Sequence, residues 1–208
     1  MALGALTCTV ADGIGWPGWF VSEQEEVVNP TQIVVASGRV PTWLKGSLIR
    51  TGSGLYENGK HRFGHVFDGH AKLNKILFND TGVFFQTRFV QTDLYKESIK
   101  KNDIAPHLTF YPVIPPWKLN PKVLTGPTDA ANINVWTTGT AIYAGCEQLT
   151  TTSFDPDSLA TLGHTKFSPA NGAAGTLAHS YPRQAPDNPK TRLPARVAAV
   201  ATLTNAET

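Results

Sequence analysis

Apolar and polar residues alternate over short runs, and turn-forming residues separate the runs. Residues 72–78 (KLNKILF) and 83–90 (VFFQTRFV) flank Asn-Asp-Thr-Gly at 79–82. Asn, Asp and Gly tolerate the left-handed backbone of a tight reversal, so this block predicts a β-hairpin. Residues 40–50 (VPTWLKGSLIR) predict a proline-led turn and then a strand, with Leu44, Gly46, Leu48 and Arg50 alternating with Lys45, Ser47, Ile49 and Thr51. Residues 51–60 (TGSGLYENGK) are expected to form a glycine-punctuated loop. Strands are predicted at 133–136, 141–147 and 149–155, with turns at 137–140 and 155–158. The one clear helical pattern is 93–102 (DLYKESIKKN), with Leu94, Tyr95, Ser98 and Ile99 on one side and Asp93 as its expected cap. Short strands at regular spacing place the chain in the all-β class and leave sandwich, barrel and propeller open. From Ser168 the pattern stops, and the proline- and alanine-rich remainder is expected to be an irregular or weakly helical tail.

Composition sharpens this picture. Hydrophobic residues make up 41% of the 208, enough for a core and too many for a disordered chain. Glycine and proline abundance together with 10% aromatics favours strands over a helical bundle. The formal charge of +2 offers no basic stripe for nucleic acid, so no nucleic-acid partner is expected. Cys8 and Cys146 cannot build a disulfide framework. No run approaches the roughly 18 apolar residues of a membrane helix. The N-terminus lacks the positive region of a signal peptide, so a reducing, cytoplasmic location is expected.

The residues alone offer no self-contained active site: HExxH, GxSxG, CxxC and phosphate-loop motifs are all missing. His61 and His65 have i, i+4 spacing, but HRFGH lies in a Gly-rich aromatic stretch that reads as extended, so they do not predict a zinc pair.

A longer block is more telling. Residues 38–73 contain Pro41, Trp43, Leu44 and Gly46, then Arg50, Gly52 and Gly54, then His65, Phe67, Asp68, Gly69 and Ala71. This Pro-x-Trp-Leu-x-Gly, Arg-x-Gly-x-Gly and His-x-Phe-Asp-Gly-x-Ala series resembles the N-terminal signature of the carotenoid cleavage oxygenases. Residues 87–99 and 132–162 continue the likeness in order, over about 18–167 in all. The resemblance implies a seven-bladed β-propeller, of which this chain holds the first blades. It also implies one Fe(II) on the axis, held by four histidines from different blades and oriented by outer glutamates. The implied reaction is oxidative cleavage of a carotenoid or apocarotenoid double bond; a retinyl-ester isomerase is the related alternative.

Carried onto this chain, the resemblance makes His179, in TLAHSYP, an iron ligand, although Ser180 stands where the family has proline. It makes Glu147, in AGCEQL, an outer carboxylate that orients a ligand histidine. No catalytic residue is assigned. His65 is expected to be a structural hydrogen-bond partner, Asp68 to tie a loop to backbone amides, and His61, His70, His107 and His164 to have no ligand role. The segment TFYPVIPPWKL, from Thr109 to Leu119, is apolar with Trp117 beside Lys118 and suits a peripheral membrane contact; its alternative is a loop packed on the propeller. The expected organisation is a lead-in at 1–17, a partial propeller at 18–182 and a divergent tail at 183–208. With one of four ligands, the chain is expected to be a truncated or alternatively spliced form, or a partial gene model, inactive alone. A non-catalytic lipid-associating fragment is the rival reading.

Overall fold

In a computed structural model, residues 21–166 are described, apart from 119, 128, 139, 140 and 149. Two four-stranded antiparallel sheets organise them. The strands are β1 (Thr31–Ile33), β2 (Gly46–Leu55), β3 (Glu57–Asn58), β4 (His61–Arg62), β5 (His70–Asn79), β6 (Gly82–Phe89), β7 (Asn134–Thr138), β8 (Ala141–Gly145), β9 (Thr150–Phe154) and β10 (Thr161–Lys166). A 3-10 turn (Val66–Asp68) precedes β5, and the helices α1 (Asp93–Lys101) and α2 (Lys122–Thr125) lie between the sheets in sequence. The first sheet runs β1-β6-β5-β2 and the second β10-β9-β8-β7, while β3 and β4 pair alone. The all-β, partial-propeller expectation holds: these are two blades, with the end strands β2 and β7 in contact.

The core lies between the blades. Ile49, Ala71 and Leu73 from the first sheet meet Val135, Ile142, Ala144 and Phe154 from the second. Period-2 alternation sends these residues inward, and each large one contributes about 1.5–3 kcal/mol by leaving water. Polar ties cross the same seam. Thr51 Oγ1 donates to the Ala131 carbonyl at 2.6 Å, and Lys75 Nζ donates to the carbonyls of Pro156 and Asp157 at 2.7 and 3.1 Å. Lys75 is buried, and burial pulls its ammonium pKa down; the two carbonyls keep the charge solvated by protein. On the outer side, Lys72 Nζ donates to the carbonyls of Glu23 and Glu25, both at 2.5 Å, fastening the extended lead segment over β5.

The predicted 72–90 hairpin forms as β5 and β6. Asn79 Oδ1 accepts from the amides of Thr81 and Gly82 at 2.9 and 3.1 Å, and Gly82 sits at φ +146°. The strands predicted at 133–155 form as β7, β8 and β9. Asp155 Oδ1 closes the following turn on the amides of Asp157 and Ser158.

Two expectations need correction. The 51–60 loop is mostly strand, because β2 runs on to Leu55. Gly54 serves close approach: a Cβ there would lie 2.6 Å from the Lys72 Cβ on β5. The helix cap is Thr92, not Asp93. Thr92 Oγ1 accepts from the Tyr95 amide at 3.0 Å, while the Asp93 carboxylate pairs with Lys96 at 2.5 Å. The strands β1, β3, β4 and β10 and the short α2 had no predicted counterpart. The boundaries at 17 and 182 and the tail from Ser168 lie outside the described residues.

Candidate functional site

The Phe-Asp-Gly box opens with a capped turn. His65 Nδ1 accepts from the Phe67 amide at 3.2 Å and holds the 3-10 turn in place, the structural role expected of it. The turn delivers Asp68 beneath the next long loop, where its two oxygens accept from the amides of Phe110 and Tyr111 at 2.8 and 3.2 Å. Burial raises the Asp68 pKa, opposed by these two amide bonds and by the nearby imidazoles of His107 and His65. Asp68 therefore ties the 105–117 loop to the first blade, as its motif position implied.

Asn132 completes the joint from the second blade. Its side-chain amide donates to Ser53 Oγ at 2.9 Å and to the carbonyls of Phe67 and Gly69 at 2.7 and 3.1 Å. Gln148 Oε1 accepts from the Ala130 amide at 2.9 Å and braces the end of β8 against the approach to β7. Sequence reasoning did not single out Asn132 or Gln148. Nothing in an isolated Asn or Gln separates a bridging amide from a solvated one.

These braces enclose a cavity of about 380 Å³. Phe67, Leu108, Phe110 and Ile133 give it apolar walls, and Asp68, His107, Cys146 and Glu147 reach its lining. The rings of Phe67 and Phe110 stand 6.1 Å apart, with His65 between 5.1 and 5.5 Å from each. Glu147 follows β8 and is exposed at this cavity. Its neighbour Cys146 is buried, which pushes the thiol pKa up to about 11 and keeps it protonated and unreactive at neutral pH. With Asp68 committed to the loop amides, an apolar recess offering the exposed Glu147 carboxylate suits a hydrophobic ligand or a neighbouring imidazole.

His179 lies outside the described residues. Three of the other histidines have hydrogen-bond partners of their own. His61 Nδ1 pairs with Asp103 at 2.7 Å; it does not face His65 as a zinc partner. His107 Nδ1 bonds the Ala105 carbonyl at 2.8 Å, and His164 Nδ1 bonds Thr152 Oγ1 at 3.1 Å. Asp129 is buried and accepts from the Asp93 and Leu94 amides at the start of α1, with His164 Nε2 3.7 Å from Asp93. These three side chains form the one group among the described residues with metal-ligand spacing, and Asp129 is committed to the helix amides. His70 has neither ring nitrogen bonded; it packs edge-on to Phe63 and Tyr95.

Among the described residues, no helix is long and apolar enough to cross a membrane.

Known proteins share this arrangement. The family model described as retinal pigment epithelial membrane protein matches residues 20–189. A carotenoid isomerooxygenase from Galleria mellonella is 32% identical over 156 residues, covering 69% of this chain and 29% of that protein. A beta,beta-carotene 15,15'-dioxygenase from Mus musculus is 30% identical over 172 residues, covering 78% of this chain and 30% of its own. A tryptophan-to-alanine variant of the Synechocystis apocarotenoid oxygenase superposes with a TM-score of 0.60 at 25% identity, covering 71% of this chain and 31% of that one. A cobalt-substituted form of the Synechocystis enzyme gives 0.57 at 27% identity, covering 70% and 30%. The chain thus spans about 30% of the length of the relatives it matches. Matched across most of its length, and carrying the Phe-Asp-Gly box as a working joint between two blades, the chain belongs to the carotenoid oxygenase family of the retinal pigment epithelial membrane protein.

Proposed function

We propose that this chain carries the opening blades of an iron(II)-dependent oxygenase that cleaves carotenoid or apocarotenoid double bonds to aldehydes or ketones. The observation that carries the reading is Glu147. Its carboxylate stands exposed at an apolar cavity, with no bonding partner among the described residues. Such a carboxylate is free to accept a hydrogen bond from a metal-bound imidazole and hold that ring's orientation. The described residues fit this outer role, and His179 would be the ligand this chain supplies. Iron(II), when bound by neutral imidazoles with positions left open, supplies O₂ binding for insertion across the polyene double bond. The chain's own residues supply the surroundings: the Asp68 and Asn132 joint keeps the walls in place, and Phe67, Leu108 and Phe110 offer an apolar surface at the cavity. With His179 as its single assigned ligand, the chain alone is expected to leave β-carotene intact in the presence of Fe(II) and O₂.

Cobalt(II) titration of the 208-residue chain, followed by visible absorption, tests the assignment. Weak binding is expected, with His179→Ala abolishing it and Glu147→Gln weakening it several-fold, on the order of the 10-fold effects typical of outer-sphere partners. Equal spectra from all three proteins would remove both residues from the metal site.

A second reading, a cytoplasmic protein with a peripheral membrane contact, rests on the loop that carries Phe110. Phe110, Tyr111 and Ile114 are 68%, 56% and 51% exposed. Trp117, the expected anchor, packs instead against the buried Phe63, Ile104 and Val113. A lipid contact would therefore run through Phe110, Tyr111 and Ile114. Phe110→Asp should reduce co-sedimentation with liposomes about 10-fold; a wild-type chain that stays in the supernatant would dismiss this reading.

A further inference from the structure

The buried apolar side chains divide into separate clusters. One fills the seam between the blades and includes Leu73, Ala144 and Phe154. The other is small: Phe63, Ile104 and Val113, with Trp117 packed against them. Histidines gather on the small cluster. His70 stands edge-on to Phe63 with ring centroids 5.2 Å apart. His107 stands edge-on to Phe63 at 5.7 Å and to Trp117 at 6.1 Å. Both are buried. His107 Nδ1 is held by the Ala105 carbonyl, whereas neither nitrogen of His70 has a hydrogen-bond partner among the described residues. His61, 6.1 Å from Trp117, is paired with Asp103.

The same cluster anchors the loop that walls the cavity. Leu108, Thr109 and Phe110 line that cavity. Beyond Val113 and Trp117, the loop is tied down by the Asp68 bonds to the Phe110 and Tyr111 amides and by the reciprocal backbone pair of Arg62 and Ile114, at 2.9 and 2.8 Å. A segment with so few buried anchors opens more readily than the sheets it rests on. A buried imidazole with no acceptor for a second proton cannot carry charge in place, so protonation requires the opening. We propose that His70 and His107 form an acid-operated latch: as pH falls through the histidine range, the loop of residues 105–117 leaves the Phe63 cluster and opens the cavity wall while the seam between the blades stays closed. The latch stands on this packing and does not depend on what the cavity or an iron site holds.

The surrounding groups set the sign. His70 faces His107 and the Tyr95 phenol of α1. Glu26 lies near Tyr95, and Lys72, two residues along β5, holds its ammonium 4.8 Å from the Phe89 ring that stacks on Tyr95. His107 faces Asp68 from the 3-10 turn and Asp129 from the segment leading into β7. Burial, then His107, lowers the His70 pKa to about 3. Burial also lowers that of His107, against the Ala105 carbonyl, Asp68 and Asp129. Those two carboxylates are raised by burial, so they take up protons in the closed form and offset part of the effect. Histidines released to water bind protons near pH 6.5, so the open form gains as pH falls, about 25-fold from His70 alone between pH 7 and 5.

Native-state hydrogen exchange of the 208-residue chain at pH 7, 6 and 5 in low urea, expressed as protection factors, tests the latch. At every pH the amides of Phe110, Tyr111 and Ile114 should be protected at least about 10-fold less than those of β6 and β8, and their exchange should depend little on urea. Their protection should fall about 10-fold or more from pH 7 to 5. His70→Phe keeps a ring against Phe63, and His107→Asn keeps a donor for the Ala105 carbonyl. Each should remove part of that fall, and the double variant should abolish it. Loop and strand amides sharing one protection level and one urea dependence would overturn the proposal, because acid would then act on the whole fold. Loop protection constant from pH 7 to 5 in the wild type would overturn it as well. So would a variant that keeps the wild-type circular dichroism spectrum at pH 7 and loses loop protection as the wild type does; the wild-type profiles decide even where a variant does not fold.

Discussion

Replacing Asp68 with alanine is expected to destabilise the chain by about 3 kcal/mol and to free the loop that walls the cavity. The carboxylate is buried and serves the amides of both Phe110 and Tyr111. Charge-assisted bonds of this kind contribute about 1.5–3 kcal/mol each, and removing the acceptor strands two donors that had been shielded from water. Alanine restores neither bond. Asparagine keeps one acceptor oxygen and should lose about half as much. Urea unfolding gives the stability change, and amide exchange at Phe110 and Tyr111 gives the local one. Both amides should exchange far faster in Asp68→Ala even under conditions where β5 stays protected. A loss under about 0.5 kcal/mol, with those amides still protected, would mean that the loop is held by its apolar contacts and that the box aspartate is incidental to the site.

Acid should weaken the protein well before its carboxylates protonate. His70 is 3% exposed, both its ring nitrogens are unbonded, and burial followed by the nearby His107 drives its pKa down to about 3. His107 is shifted in the same direction, chiefly by burial. An unfolded histidine titrates near 6.5, so below that pH the unfolded chain binds protons that the folded chain refuses. Stability from His70 is therefore complete above about pH 6.5 and drains away as pH falls, at up to about 1.4 kcal/mol per pH unit. From pH 7 to pH 5 the loss from His70 alone is about 2 kcal/mol. Asp68 and Asp129 act the opposite way: burial raises both their pKa values, so they begin to take up protons above the ordinary carboxylate range and offset part of the histidine loss. The difference in urea midpoint between the wild type and His70→Phe, followed from pH 7 to 5, isolates the His70 effect. His70→Phe keeps a ring against Phe63 and Tyr95 and should flatten the profile by that same amount. A wild-type midpoint constant from pH 7 to 5 would show that His70 charges freely in the folded chain.

Much of the architecture was legible in the residues, for reasons that are local. The 72–90 hairpin could be read because alternation and an Asn-Asp-Thr-Gly reversal agree, and the Asn79 side chain does close that turn. The predicted strands at 133–155 followed from the same signal. Reading glycines as loop markers failed at 51–55, since Gly54 is there to let the Lys72 side chain pass. Naming Asp93 as the cap was wrong by one residue, because Asp and Thr are equally good caps in sequence and only backbone direction separates them. For Trp117 composition left two readings, a membrane contact or a loop packed on the propeller. Trp117 turned inward because a buried cluster of Phe63, Ile104 and Val113 was within its reach.

By itself, then, the sequence determined the strand periodicity, the turn chemistry and the ordered motifs that place the chain in its family, because each is written in neighbouring residues. Tertiary structure decided which side chains share a site. Asp68 in the first blade and Asn132 and Glu147 in the second meet at one cavity only because the two blades pack against each other. It also decided that Lys72 and Lys75 are buried and His70 is unbonded. Burial and long-range hydrogen bonding are properties of the packed seam, and no window of sequence contains both of its sides.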